Sequence, residues 1–250
     1  NHDVAIVGAG PIGLELAVAL KREDIHHLIF DSGQIGETIF NWPPNTHFFS
    51  STERIAIAKV PIPNTDQTRI TGEDYLAYLR SVVQQFGVRV NTYERVESIR
   101  PTPVDKDPAE REPGFELRTR TCKGEHCYIC RIVVLATGGM GGPRRLGIPG
   151  EDLPHVSHYP ADPHRYFQRR VLIVGGRNSA LETALRLSHA GAKVTVSYRR
   201  DSFDTGIPKR HLLAEVEMWI DEGKIAFLPA TVPVEITPEH VVLAPTMPGS

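Results

Sequence analysis

The sequence predicts an α/β protein with two Rossmann-like three-layer domains, each built around a dinucleotide-binding turn. Two stretches of the 250 residues support this prediction. In the first, the apolar run VAIVG leads into GAGPIG, the amphipathic segment PIGLELAVALKR and the strand HHLIFD. In the second, RRVLIVG, GGRNSA, ALETALRLSHAG and AKVTVSYRR repeat this order. An apolar strand, a glycine-rich turn and an amphipathic helix in succession are typical of a parallel βαβ unit.

The composition is that of an ordinary globular protein. Hydrophobic residues make up 40% and charged residues 23%, and the formal net charge is -2. Without a basic excess we expect no nucleic-acid partner, and no run of about 20 apolar residues is present to span a membrane. Three cysteines are too few for a secreted disulfide framework, so we expect a cytoplasmic protein.

The three cysteines, Cys122, Cys127 and Cys130, admit two interpretations. Cys127 and Cys130 have the CxxC spacing of a redox pair, and Cys122 would add a metal ligand. We favour a structural role, because the cysteines fall on two predicted strands where alternate side chains point to opposite faces. Redox pairs usually lie at a helix N-terminus, and a zinc site would need a fourth ligand besides the nearby His126. We therefore expect no metal.

Between and beyond the two units the pattern is less regular. TGEDYLAYLRSVVQQFG predicts a helix from Thr71 to Gly87, and VRVN, RVESIR, FELRTR and CRIVVLATG predict a β-meander over about 88–135. The Pro-rich stretch 101–114 is expected to be an exposed loop, and 139–168 a linker. IPKRHLLAEVEMWIDEG predicts another helix, followed by the short strands IAFLPA, PVEIT and HVVLAP. We assign 1–160 to the first domain and 161–250 to the second.

The first turn has the residues that a pyrophosphate requires. Gly8 permits the tight turn, Gly10 lets the backbone approach the phosphates, and Gly13 lets the helix pack on the strand. The phosphates would lie at the helix N-terminus, and Asp31 ends the next strand at the expected distance. A carboxylate there accepts hydrogen bonds from ribose hydroxyls and repels a 2′-phosphate. The first site therefore suits FAD or NAD.

Where the first unit has Asp31, the second has Ser197, Tyr198, Arg199 and Arg200. Two guanidinium groups at this point would bind a 2′-phosphate, which indicates NADPH, although an exposed basic strand end is the alternative. One site that excludes a 2′-phosphate and one that accepts it suit an enzyme that passes electrons from NADPH through a bound flavin. The small residues of Ala136-Thr137-Gly138, at the end of a buried strand, would allow the cofactor a close approach.

Four further segments resemble one branch of a known enzyme family. They are FNWPPNTHFFSSTERIAIAKVPIP at 40–63, IPGEDLPHVSHY at 148–159, GGRNSALETALRL at 175–187 and VSYRR at 196–200. With both turns, they resemble the thioredoxin-reductase-like FAD/NADPH flavoproteins with two dinucleotide-binding domains, and among these the bacillithiol-disulfide-reductase-like branch. That branch lacks the CxxC pair of thioredoxin reductase in its NADPH domain, and here no cysteine follows Cys130.

The resemblance implies an NADPH-dependent oxidoreductase in which hydride passes to FAD and then to a low-molecular-weight disulfide. It also implies a homo-oligomer and a C-terminal segment of the FAD-binding domain, which we expect to be absent from the sequence. The residues implied to bind the cofactors are Gly8, Gly10, Pro11, Ile12, Gly13, Asp31, Ser32, Asn41, Trp42, Thr46, Phe49, Ser50, Val96, Ala136, Thr137 and Gly138 for FAD, and Gly175, Gly176, Arg177, Asn178, Ser179, Arg199 and Arg200 for NADPH.

One position departs from the resemblance. The branch has a cysteine beside the flavin where this chain has Ile12, and isoleucine cannot form a mixed disulfide. Two alternatives therefore stay open: a flavin-containing monooxygenase, which also combines two such turns, and a flavoprotein without thiol chemistry that acts as a redox sensor or binding protein. No residue receives a catalytic role, although His155, His158 and Tyr159 could protonate a leaving thiolate.

Overall fold

The computed structural model describes residues 2–64, 69–102, 114–140, 142–159 and 161–246. The chain divides into two compact units, Asn1–Gly142 and Pro143–Ser250. Most of the expected loop at 101–114 lies outside the described residues. Each unit has a mixed α/β fold that contains parallel strands, as the sequence predicts.

Unit 1 places its strands in one five-stranded sheet. Its elements are β1 (His2–Val7), α1 (Pro11–Arg22), β2 (His27–Phe30), α2 (Glu37–Phe40), α3 (Thr52–Ile55), α4 (Gly72–Phe86), β3 (Arg95–Pro101), β4 (Phe115–Thr121) and β5 (Gly124–Leu135). The strand order is β2-β1-β5-β4-β3. β1 pairs in parallel with β2 and β5, whereas β3, β4 and β5 pair antiparallel. The carboxyl end of β1 therefore lies between the ends of two parallel neighbours, where open α/β sheets bind ligands.

The two faces of this sheet bury different side chains. Ile6, Leu14 and Leu79 belong to a cluster that packs β1, α1 and α4 together. Phe30 and Leu117 are fully buried in a second, smaller cluster. Burying an aliphatic side chain of this size contributes about 1.5–3 kcal/mol, so α1 is held firmly against the strand that precedes it.

The helix predicted from Thr71 to Gly87 is confirmed as α4. The Thr71 side chain accepts a hydrogen bond from Asp74 N, and the Asp74 carboxylate accepts one from Thr71 N, which together form a capping box. Gly87 ends the helix with φ of +59°. The prediction of a strand at VRVN is wrong: this segment forms only an isolated parallel bridge between Phe30 and Asn91.

Unit 2 repeats the βαβ order. Its elements are a 3-10 helix (Pro163–Tyr166), β6 (Arg170–Val174), α5 (Asn178–His189), β7 (Lys193–Ser197), α6 (Arg210–Asp221), β8 (Ile225–Leu228), β9 (Thr231–Ile236) and β10 (Val241–Pro245). β6, β7 and β8 form a parallel sheet in that order, and β9 pairs with β10 in a separate antiparallel ribbon. The helix expected over IPKRHLLAEVEMWIDEG starts at Arg210, because Pro208 and the extended Lys209 precede it.

Residues that precede β6 pack onto the β9–β10 ribbon. Ile236 N donates to Pro149 O at 2.9 Å. Gly150 has φ of +83°, and a Cβ there would lie 1.8 Å from the carbonyl oxygen of Ile236. Glycine is therefore required at this crossing of the loop over β9.

Candidate functional site

The turn between β1 and α1 is compact because two of its glycines leave no room for a side chain. Gly8 has φ of +110°, and a Cβ there would lie 2.3 Å from the carbonyl oxygen of Ala136. A Cβ on Gly13 would lie 1.9 Å from the carbonyl oxygen of Gly8. Glycine at both positions therefore allows the turn, the first turn of α1 and the end of β5 to approach one another.

Gly10 faces open space. A Cβ built on Gly10 meets no atom within 4 Å in the part of the chain that the structure describes. Gly10 is also the N-cap of α1 and has no side chain to accept hydrogen bonds, while Pro11 occupies the first turn. The first N–H groups of a helix lack partners within it, and the helix dipole places partial positive charge there. The residues of this turn therefore fit a pyrophosphate.

Ile12 lies in the first turn of α1 and is 73% exposed. The next residue, Gly13, is buried. The exposed side chain at the start of this helix is therefore that of an apolar isoleucine and not a thiol.

The carboxylate of Asp31 is fixed beside the same turn. Ala9 N donates to Oδ2 at 2.8 Å, and Gly33 N donates to Oδ1 at 3.0 Å. Each carboxylate oxygen keeps a second lone pair, which a ribose hydroxyl could use. Ser32, the next residue, is exposed.

Three residues that the sequence analysis did not name lie along this loop. Asp31 N donates to Asn91 O at 3.0 Å, Tyr93 N to Gly33 O at 2.9 Å, and Glu94 N to Asp31 O at 2.9 Å. Tyr93 has φ of +56° and is 62% exposed. The sequence signal for these residues is the alternation of apolar and polar residues in VRVN. It ends at Asn91, whose backbone bonds to Ile29 and Asp31.

The end of β5 completes the first site. Ala136 N donates to Val7 O at 2.7 Å, which holds β5 against β1 at the level of the turn. Thr137 and Gly138 follow as exposed residues, and Gly138 has φ of +71°. The structure thus brings Gly8, Gly13 and Ala136 together, with Thr137 and Gly138 next in the chain.

The residues expected near the flavin ring divide into two groups. Three have internal contacts: Asn41 Nδ2 donates to Glu37 O at 2.9 Å, Thr46 Oγ1 donates to Pro43 O at 2.6 Å, and the Trp42 and Phe48 ring centroids lie 4.9 Å apart. Phe49 and Ser50, which are exposed as Asn41 is, line an open cavity. Val96, expected near the adenine, lies in β3 opposite Thr119, where the register of the pair becomes irregular.

The three cysteines differ in exposure, and Cys122 lies in the turn between β4 and β5 and not at the end of the predicted strand. Cys122 and Cys127 are exposed, whereas Cys130 is buried and its pKa is raised by that burial. Cys127 and Cys130 lie in the same strand, β5, three positions apart, and therefore on opposite faces. All three thiols are free.

Of the three candidate proton donors, one has a defined partner. His158 Nε2 donates to Glu151 Oε1 at 2.9 Å, and the backbone N–H groups of Leu146 and Gly147 donate to the same buried carboxylate at 2.8 and 2.7 Å. These hydrogen bonds, led by that of His158, lower the pKa of Glu151 to about 2. His158 thus anchors the loop that precedes β6, while His155 and Tyr159 are exposed.

The second turn, between β6 and α5, differs from the first in its middle position. Gly175 has φ of +131°, and a Cβ there would lie 3.4 Å from that of Ala180, an ordinary contact. Gly176 is buried, and a Cβ there would lie 2.7 Å from the Tyr198 ring. Arg177 is the exposed N-cap of α5 with an extended backbone.

The polar residues that follow this turn have different surroundings. Asn178 Oδ1 accepts a hydrogen bond from Lys209 N at 2.8 Å, which joins the start of α5 to the start of α6. Ser179 is exposed, and its carbonyl accepts a hydrogen bond from the Thr183 hydroxyl. The N-terminus of α5 thus has backbone N–H groups without a side-chain cap, and the exposed Arg177 guanidinium lies beside them. Both features suit the binding of a phosphate.

The two arginines after β7 differ in their contacts. Arg200 Nη1 lies 3.0 Å from Asp204 Oδ2, an ion pair that the sequence analysis did not foresee. Arg199 is exposed and makes no ion pair with any residue that the structure describes. Of the pair, Arg199 is the one whose guanidinium is available to a ligand.

In the ranges that the structure describes, no group of three or more His, Cys, Asp or Glu side chains is arranged to hold a metal ion. None of the helices in these ranges is both long and apolar enough to cross a membrane.

Comparison with known proteins identifies the family. Residues 5–242 match the model of the pyridine nucleotide-disulphide oxidoreductases. The chain is 34% identical over 239 residues to a bacilliredoxin reductase, Bdr, of Bacillus subtilis, and the match covers 95% of this chain and 69% of that protein. It is 31% identical over 206 residues to a ferredoxin–NADP reductase of Ignicoccus hospitalis, covering 81% of this chain and 58% of the relative.

A solved structure gives the same result. The bacillithiol disulfide reductase Bdr (YpdA) of Bacillus cereus superposes with a TM-score of 0.86 at 33% identity, over 98% of this chain and 75% of that one. The resemblance stated from the sequence is thereby confirmed. The chain belongs to the pyridine nucleotide-disulphide oxidoreductase family and is an NAD(P)H-dependent flavin oxidoreductase.

Proposed function

We propose that this protein uses NADPH to reduce a low-molecular-weight disulfide through bound FAD. Unit 1 binds FAD at the Gly8–Gly13 turn, and unit 2 binds NADPH at the Gly175–Ser179 turn. The net reaction is NADPH + H⁺ + RSSR → NADP⁺ + 2 RSH. The B. subtilis and B. cereus relatives carry the names bacilliredoxin reductase and bacillithiol disulfide reductase, which supports a disulfide as the acceptor.

The observation that carries the proposal is the opposite charge beside the two turns. Asp31 is held at 2.8 Å from Ala9 N, so a carboxylate lies where the ribose of the first dinucleotide is expected. In unit 2 Tyr198 follows β7 directly, and the next residue is Arg199, which is exposed and makes no ion pair within the described residues. A carboxylate repels a 2′-phosphate and a guanidinium binds it, so the two turns favour different dinucleotides.

The chain's own residues contribute binding and orientation. When bound, FAD supplies a carrier that accepts hydride from NADPH and gives two electrons to the acceptor. The backbone of the first turn and Asp31 hold one dinucleotide, while Arg177, Asn178 and Arg199 hold the other. With Ile12 at the turn and the thiols confined to residues 122–130, reduction proceeds without a mixed disulfide at the turn.

Stoichiometry tests this function. With NADPH and a disulfide in the absence of oxygen, we expect two thiols to form for each NADPH oxidised. In air, NADPH consumption that yields an oxygenated product, with no thiol, would instead support a monooxygenase. Failure to oxidise NADPH with any disulfide, quinone or oxygen would support the redox-sensing alternative.

The same proposal includes a reducing compartment and a homo-oligomer. Three free thiols suit a reducing cytoplasm. Sedimentation of the purified protein at two concentrations measures the oligomeric state.

A further inference from the structure

Unit 1 buries the side chain of Glu94, for which the proposed reaction has no direct use. Only 7% of this residue is exposed, although it lies on the loop between α4 and β3. A carboxylate removed from water is costly unless hydrogen-bond donors surround it. The donors around Glu94, and the loop that they hold, lie beside Asp31.

The Glu94 carboxylate is held by side chains of the antiparallel strands β4 and β5. The hydroxyl of Thr119, on β4, donates to Oε1 of Glu94, and Thr119 is only 1% exposed. On β5, burial raises the pKa of the half-buried Tyr128 phenol, and a hydrogen bond to the Glu94 carboxylate raises that pKa further. Two hydroxyl groups of the sheet therefore compensate the buried carboxylate.

The main chain of the same loop holds Asp31. Glu94 N donates to Asp31 O at 2.9 Å, and Asp31 N donates to Asn91 O at 3.0 Å. The loop from Asn91 to Glu94 therefore fixes Asp31 at both its N–H and its carbonyl oxygen. A displacement of Glu94 would displace the backbone from which the Asp31 carboxylate extends.

A second contact connects the sheet to the residue before Asp31. The ring of Tyr128 packs on that of Phe30, with the two ring centroids 5.0 Å apart. Phe30 is fully buried, directly precedes Asp31 and forms a parallel bridge with Asn91. Tyr128 thus contacts both Phe30 and the Glu94 carboxylate, so the sheet restrains Asp31 from both of these neighbours.

We propose that Glu94 is a positioning residue for FAD, and that the Thr119 and Tyr128 hydroxyls fix it in place. The inference rests on the proposed function, since it requires FAD at the Gly8–Gly13 turn. Glu94 acts through Asp31: the buried carboxylate holds the loop, and the loop holds the backbone of Asp31 before the cofactor arrives. A binding group that is ordered in advance loses less conformational entropy when the ligand binds. The contribution of Glu94 is therefore to the affinity for FAD.

FAD titration of the full chain, without NADPH or disulfide, tests this role. For Thr119→Val, which removes the hydroxyl at nearly constant volume, we expect the Kd of FAD to rise about three- to tenfold. Glu94→Ala should raise the Kd further, whereas Glu94→Gln, which keeps one acceptor oxygen, should raise it less than Glu94→Ala. Thr195→Val, on β7 of unit 2, is the matched control and should bind FAD as wild type does. Each variant is titrated well below its melting temperature, so that lost stability alone leaves the Kd unchanged.

A second background distinguishes action through Asp31 from a general loosening of unit 1. When Thr119→Val is added to Asp31→Asn, we expect the Kd of FAD to change by less than about twofold, because the group that the loop positions is already altered. Equal losses of affinity in the wild-type and Asp31→Asn backgrounds would overturn the inference. Wild-type affinity for FAD in folded Thr119→Val and Glu94→Ala would overturn it as well. Because the titration contains neither NADPH nor disulfide, a failure to reduce any disulfide contradicts the proposed function without changing these outcomes.

Discussion

Arg199 and Arg200 follow each other in the chain, yet only Arg200 has an acidic partner among the described residues, Asp204 at 3.0 Å. A guanidinium that already pairs with a carboxylate gains less from a phosphate than one that faces water. We therefore assign the recognition of a 2′-phosphate mainly to Arg199. Arg177, at the N-cap of α5, would contribute to binding the pyrophosphate of either nicotinamide dinucleotide.

Substitution of Arg199 tests this assignment. For Arg199→Ala we expect kcat/KM with NADPH to fall roughly 10- to 100-fold, with little change for NADH, because charge-assisted hydrogen bonds to one phosphate are lost. Arg177→Gly should raise the KM for NADPH only modestly. If both variants keep wild-type kinetics with NADPH, the second turn is not the NADPH site.

The three thiols should differ in reactivity. Cys130 is 1% exposed and burial raises its pKa, whereas Cys122 and Cys127 are exposed. Thiolate is the reactive form, so iodoacetamide should label two cysteines in the folded protein and the third only after unfolding. Peptide mass analysis identifies the sites. Rapid labelling of Cys130 in the folded protein would contradict the burial of this side chain.

At the scale of the element, the β1–α1 turn offers a matched pair of substitutions. A Cβ at Gly13 would collide with the carbonyl oxygen of Gly8, whereas a Cβ at Gly10 would extend into open space. We expect Gly13→Ala to destabilise the fold by about 1–3 kcal/mol. Gly10→Ala should leave the free energy of unfolding nearly unchanged but weaken FAD binding, because its methyl group occupies the path of the pyrophosphate.

Urea unfolding of the apoprotein and FAD titration by fluorescence separate the two effects. The expected pattern is lost stability in Gly13→Ala and lost affinity alone in Gly10→Ala. Unchanged FAD affinity in Gly10→Ala would mean that the pyrophosphate does not approach this turn.

The loop that precedes β6 should give unit 2 an acid-sensitive component of stability. Its buried Glu151 has a pKa near 2 in the folded chain, against an ordinary value of 4.5. A lowered pKa stabilises the fold above the ordinary value, and this contribution disappears as the pH falls from about 4.5 to about 2. Relative to wild type, Glu151→Gln should melt at lower temperature at neutral pH, and the gap should narrow through this acid range. A constant gap would contradict the role of the ionised carboxylate.

Features could be predicted from the sequence when the residues that form them are close together in the chain. The turn at Gly8–Gly13 and the capping box of α4 depend on residues within a few positions of one another, so the sequence predicts both. The Tyr198 ring against Gly176 and the hydrogen bonds of Glu151 depend instead on how loops fold back. VRVN has the alternation of a strand, but after Asn91 the chain turns back along the Asp31 loop and leaves a single bridge.

At the scale of the whole molecule, we propose that each unit binds one dinucleotide. The acidic contact beside the first turn and the basic residues after β7 explain why one chain contains two similar turns. In the second turn Gly176 is covered by Tyr198, and Arg177 stands where the first turn has Gly10, so we expect this turn to bind a different dinucleotide.

The most direct test of this account is the colour of the flavin in the absence of oxygen. We predict that NADPH bleaches the bound FAD, that NADH does so much more slowly, and that a low-molecular-weight disulfide then restores the oxidised spectrum. A flavin that NADPH cannot bleach, or a reduced flavin that only oxygen reoxidises, would contradict the central claim.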